Sequence, residues 1–129
     1  MNWKQARPFQ ISCGLREGYD QSAAVHTLAE AREVIRTWIE KRTLQNQKIV
    51  VGSLVAGEFI YPWVEDSGDV TSRFEPAFHY QGRVREDATD DIAKEMLIEL
   101  ANAFAEAFQQ KRVHVEFDDI YWLAESSVE

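Results

Sequence analysis

Apolar and polar residues alternate from Phe9 to Cys13, the two-residue period of a strand with one buried face, and Gly14 ends it. After a polar stretch the period changes. Thr27-Leu28-Ala29-Glu30 reads as a capping box, in which the Thr and Glu side chains each satisfy a free backbone N–H at a helix start. Leu28, Ala31, Val34, Ile35, Trp38 and Ile39 then fall on one stripe of a helix running to about Thr43. Lys48 to Trp63 is rich in β-branched and aromatic residues, which predicts one long strand bulged or bent at its glycines, 52 and 57, or a hairpin broken at Ala56-Gly57. The polar run Val64 to Arg73 predicts an exposed loop, with a third strand following from Pro76 to Val84.

Asp87 and Thr89 are candidate caps for a second helix, whose buried stripe is Ile92, Met96, Leu97, Leu100, Ala103, Phe104, Ala107 and Phe108. Val113, Val115 and Phe117 alternate with polar residues in a fourth strand. Asp118-Asp119 turns the chain into a short closing strand, Ile120 to Ala124. The order βαββαβ, two βαβ halves with right-handed crossovers, predicts an α+β ferredoxin-like sandwich. Its antiparallel sheet runs 4-1-3-2 with both helices on one face, and residues 1–129 are expected to form one domain.

The stretch Gly14-Leu15-Arg16-Glu17-Gly18-Tyr19, followed by Val25-His26-Thr27-Leu28-Ala29-Glu30-Ala31, resembles small uncharacterised bacterial and phage-type proteins. These carry a G-L-x-E-G-Y turn and then V-H-S-L-E-E-A. The resemblance covers about the first third of the chain. Thr27 stands for the serine and Ala29 for the first glutamate, which keeps the capping chemistry. It supports the fold and implies no activity.

Composition narrows the classes. Twenty-two acids against fourteen bases leave a formal charge of −8, which disfavours a nucleic-acid partner. No apolar run is long enough to span a membrane, and the first ten residues lack the apolar segment of a signal peptide. A lone cysteine forms no internal disulfide and fits a reducing compartment, so the cytoplasm is the expected location. Four tryptophans and an aromatic content of 12% speak for a packed core rather than a disordered acidic adaptor.

Two surfaces carry candidate chemistry. The turn after strand one should lie beside the stretch from Tyr61 to Pro76 and the turn from Gln109 to Arg112. There Gly14 and Gly18 would expose backbone N–H groups to an anion, Arg16 would pair with its charge, and Tyr19 or Asp20 would add a polar contact. The second is the open sheet face, where strand parity gathers Gln10, Ser12, His79, Gln81, His114 and Glu116. Strand two beside it is apolar on both faces and wants cover from Trp3, from Tyr121-Trp122-Leu123, or from a second copy of the chain.

Other signals are weaker. Cys13 shares its parity with Phe9 and Ile11, so it is expected in the core rather than as a nucleophile. His79 and His114 would stand about 10 Å apart across two strand spacings, too far for a compact zinc site, and no metal is expected. The acids at positions 65, 66, 69, 87, 90 and 91 match no calcium loop and read as caps and solubilising charges. No cofactor loop is present.

The leading expectation is therefore a small binding or accessory module that self-associates and takes a small ligand or protein partner. A small-molecule enzyme stands second, with Arg16 holding an anionic substrate and Asp20, His79 or Tyr19 as acid or base. A structural or virion-associated subunit stands third.

Overall fold

In the computed structural model, which describes residues 7–18 and 21–125, seven elements follow one another. They are β1 (Pro8–Gly14), α1 (Leu28–Leu44), β2 (Val51–Val64), β3 (Val70–Arg83), α2 (Asp90–Ala107), β4 (Arg112–Phe117) and β5 (Ile120–Glu125). The five strands form one antiparallel sheet in the order β2-β3-β1-β4-β5, with β5 added outside β4. This is the ferredoxin-like α+β arrangement that the pattern predicts.

Local chemistry starts both helices. Thr27 Oγ1 accepts from the Glu30 N–H while the Glu30 carboxylate accepts from the Thr27 N–H, so the capping box at α1 is complete. Thr89 caps α2, and Asp90 and Asp91 sit at its positive end. The α2 stripe buries Met96, Leu97, Leu100 and Phe104 as predicted. It turns slightly from the predicted line, since Ala107 is exposed while Ala101 and Ala105 are inside.

The core lies between the helices and the inward parity of the sheet. Ile11 and Cys13 of β1, Phe78 of β3 and Val113 and Val115 of β4 are fully buried there. Phe78 packs edge-on to Phe104 and Phe108, with ring centroids 4.8 and 5.5 Å apart. Gly52 and Gly82 face each other across β2 and β3, and the Phe9 ring lies against both. A Cβ on Gly82 would stand 2.5 Å from the Val51 carbonyl oxygen, so the close approach of the two strands requires glycine there.

The predicted loop from Val64 to Arg73 is overturned in half of its length. Only Glu65 to Asp69 turns, closed by the Glu65 N–H on the Asp69 carbonyl at 2.8 Å and by Gly68 at φ 90°. Val70 onward pairs residue for residue with β2, down to Val51 against Arg83. The same continuous register excludes both a bulge in β2 and a break at Ala56-Gly57. Polar composition misled here because β3 continues past β1, which ends at Gly14 opposite Ala77, into a two-stranded arm with one face open to water.

One face of this arm is bare and apolar: Ile60 and Phe74 are a directly opposed pair, as are Val64 and Val70, and all four are more than half exposed. Of the proposed covers for strand two, Trp3 lies outside the described residues. Tyr121, Trp122 and Leu123 belong to β5 at the other edge of the sheet. No described helix is long and apolar enough to cross a membrane.

Candidate functional site

The chain doubles back on itself after β1. The Leu15 N–H donates to the Pro76 carbonyl at 2.9 Å, and Glu17 and His26 make backbone bonds to Ala24 and Leu15 at 3.0 and 2.7 Å. Arg16 thus faces Val25 in a small antiparallel extension whose tip is Gly18, at φ 63°. The Gln110 side chain fills the space beside Gly14 and donates to the Arg16 carbonyl. The turn after strand one, the β3 stretch near Pro76 and the turn after α2 therefore meet at one edge, as the topology predicts.

Glu75 is the centre of this edge. Only 8% exposed, it accepts from Arg16 Nε at 2.7 Å, from the Tyr61 hydroxyl at 3.1 Å and from the Gln21 side-chain amide. Arg16 Nη1 also donates to the Gln21 and Ala23 carbonyls, at 2.8 and 3.3 Å. Its guanidinium is consequently held inside the protein, tying the turn to the arm, rather than extended toward an outside anion. Burial, followed by the hydrogen bond to Glu75, holds the Tyr61 hydroxyl above its usual pKa, so Tyr61 remains a donor.

Aromatic rings stand beside this carboxylate. Phe59, Tyr61 and Trp63 alternate on one face of β2, the face that also carries Arg73 and Glu75 of β3. The Arg73 guanidinium stacks 3.5 Å from the Trp63 ring centroid. The Phe59 ring lies 6.3 Å from His79 and 5.8 Å from His114, roofing the nearest part of the open sheet face.

Under that roof His79, Ser12 and His114 form one row across β3, β1 and β4. Ser12 Oγ shares a 2.8 Å hydrogen bond with His79 Nδ1 and accepts one from Gln10, and Ser12 is buried. His114 Nδ1 meets the Tyr121 hydroxyl. Burial, with the Arg112 charge nearby, lowers the His114 pKa and keeps the ring neutral. The next row, Ser53, Gln81, Gln10 and Glu116, opens instead into a concavity of about 640 Å³.

The remaining candidates divide clearly. Tyr19 and Asp20 lie outside the described residues. Cys13 is fully buried, and burial pushes its thiol pKa far up, which suits a core residue and not a thiolate. His26 packs on Phe108 and bonds Glu17 at 2.7 Å and Glu30 at 2.9 Å through its two ring nitrogens. Burial disfavours its charge, but the two carboxylates outweigh that and raise its pKa.

Sequence reasoning located the edge but missed Glu75 and Tyr61 as its centre, and Phe59 as the roof. The usable signal was parity: Arg73, Glu75, His79 and Gln81 share one face of β3, and the carboxylate falls on it beside the aromatic face of β2. That signal is hidden when the third strand is started at Pro76, because Arg73 and Glu75 then fall outside it.

Among solved structures, the chain is similar to a phage SAM lyase in complex with S-methyl-5′-thioadenosine, with a TM-score of 0.67 and 19% sequence identity over 96% of this chain and 92% of that one. The apo state of phage SAM lyase gives a TM-score of 0.60 and 17% identity over 94% of this chain and 90% of that one. At these identities the likeness is one of fold. No protein-family model and no curated protein matches the chain.

Proposed function

We propose that this chain is a small-molecule enzyme that binds an adenosyl-sulfur compound at the Glu75 edge and cleaves S-adenosylmethionine. The observation that carries this reading is a fold shared over nearly the whole length of both chains with a phage SAM lyase captured with S-methyl-5′-thioadenosine. The enzyme reading, second on sequence alone, moves ahead of a purely accessory module for that reason. Arg16 takes a different part from the one first expected, positioning Glu75 instead of binding substrate.

The chemistry asks little of an acid or base. Release of S-methyl-5′-thioadenosine breaks the bond between the sulfonium sulfur and the Cγ of the methionine part: the sulfur leaves with the bonding pair while an oxygen of the substrate's own α-carboxylate bonds to Cγ, closing a lactone with no proton gained or lost. The sulfur goes from positive to neutral, so its departure needs no proton. A protein has to supply a surface for the adenine, acceptors for the ribose hydroxyls and shelter from water. Phe59, Tyr61 and Trp63 offer ring faces, each stacked base being worth about 1–3 kcal/mol. Glu75, already matched by Arg16, suits a hydroxyl acceptor better than a counter-ion that would hold the sulfonium in its charged state.

The test is to incubate the purified chain with S-adenosylmethionine and follow S-methyl-5′-thioadenosine by liquid chromatography and mass spectrometry. Time-dependent product is expected, reduced at least tenfold by Glu75→Gln and by Tyr61→Phe. Ligand-dependent thermal protection without product would favour the binding module, and neither protection nor product overturns both readings.

Self-association belongs to the same proposal. The bare pairs Ile60 with Phe74 and Val64 with Val70, separated by Pro62 and Ser72, make a largely apolar face of the kind that monomers rarely expose. A second copy is the occupant proposed. Native mass spectrometry of the wild type should give a defined oligomer, and Ile60→Lys with Phe74→Glu should shift it to the monomer mass.

A further inference from the structure

We propose that the concavity at the far end of the open face is a separate binding site for an α-amino-acid zwitterion. It is lined by Pro8, Gln10, Val51, Gln81, Arg83 and Glu116 and holds about 640 Å³, within the range of small-molecule sites. Asp118, in the turn between β4 and β5, lines it as well.

The charge pattern identifies the ligand class. The side chains of Arg83, Gln81 and Glu116 make no hydrogen bond or ion pair to any described residue, although ten ion pairs elsewhere among the described residues occupy much of the other charge. Arg83 lies one row from Glu116 and on the other side of β1, so the two opposite charges flank a strand without touching. A guanidinium fork suits a carboxylate, and a carboxylate with Asp118 beside it suits an ammonium. Both groups sit on one carbon in an α-amino acid. The Gln10 and Gln81 amides can orient it, and Pro8 and Val51 border the space for an uncharged side chain.

This site does not rest on the adenosyl reading. Arg83 stands eight residues beyond Glu75 on the same strand, about 26 Å along it, more than one molecule of S-adenosylmethionine can span. The chemistry is that of a free amino acid or of the amino-acid end of a larger metabolite.

The experiment is isothermal titration of the full chain with L-methionine, with leucine, serine and glutamine as further probes, and with amide shifts mapped by NMR. Saturable binding is expected, with shifts centred on residues 8–10, 81–83 and 116–118. Arg83→Gln and Glu116→Gln should each weaken it at least tenfold; both side chains are exposed, so both variants should keep the wild-type circular dichroism. L-Methioninamide should bind at least tenfold more weakly than L-methionine to the wild type but equally to Arg83→Gln. N-Acetyl-L-methionine should behave likewise with Glu116→Gln. A larger metabolite as the natural source would appear as tighter binding of S-adenosyl-L-homocysteine, whose amino and carboxyl groups are both free, than of methionine, still dependent on Arg83 and Glu116. Absence of saturable binding by all four amino acids, shifts mapping elsewhere, or full affinity in either variant overturns the proposal.

Discussion

Glu75 and Arg83 lie on the same strand and the same face, yet their surroundings are opposite. Glu75 is buried and takes hydrogen bonds from Arg16, Gln21 and Tyr61, whereas Arg83 is exposed and has no partner among the described residues. The difference follows from what covers each end. A returning turn and an arm of aromatic residues close over Glu75, while the other end of the face has strands beneath it and solvent above. A charge surrounded in this way organises the protein; a charge left open on a concave floor is available to something else.

The largest effect is expected of Glu75→Ala. It leaves the partly buried Arg16 guanidinium without its counter-charge and Tyr61 without its acceptor, and is expected to cost about 3–5 kcal/mol, read from the urea midpoint. Glu75→Gln keeps an acceptor and should cost less. If Glu75→Ala is as stable as the wild type, the turn is not anchored there. Next comes the floor of the open end: Gly82→Ala drives a methyl group against the Val51 carbonyl and should cost about 1–3 kcal/mol.

A smaller effect at the closed end depends on pH. Because the folded pKa of His26 is raised, its protonation stabilises the fold fully below the unfolded value near 6.5, and that contribution is lost as pH rises through the folded pKa. Chemical denaturation across pH 5.5 to 8.5 should show a decline that His26→Gln reduces. An identical profile in the variant would remove His26 from the account. Smallest of all, Arg83→Gln should change stability by no more than about 0.5 kcal/mol in the same assay, since no intramolecular bond is lost. A larger loss would mean that the open end is as structural as the closed one.

Much of this contrast was legible in the sequence, and the rest had a definite reason to be hidden. The capping box at Thr27, the inward parity of Cys13 and the order 4-1-3-2 all depend on local chemistry and period, which survive without tertiary information. They also placed the turn after β1 beside Tyr61 and Pro76. The arm was not legible because its period-2 pattern carries apolar residues on a face that no helix covers, and Ser67, Gly68 and Asp69 drew the boundary of the turn too wide. Arg16 could be assigned to the correct edge but not to its partner, because pairing with Glu75 depends on β3 beginning at Val70.

The central position of β1 has a consequence for how the chain is made. The arm can zip locally, since β2 and β3 are consecutive and need only a five-residue turn, and hairpins of this kind form within microseconds. The strand between the two halves of the sheet leaves the ribosome before the other four but pairs with residues as distant as Phe117. It must wait, with Phe9 and Ile11 unsheltered, until β3 has emerged for its first neighbour and until β4 has emerged for its second. Closing that long loop is the slow step to be expected of assembly, and the interval before it is when the nascent chain is most exposed to wrong partners.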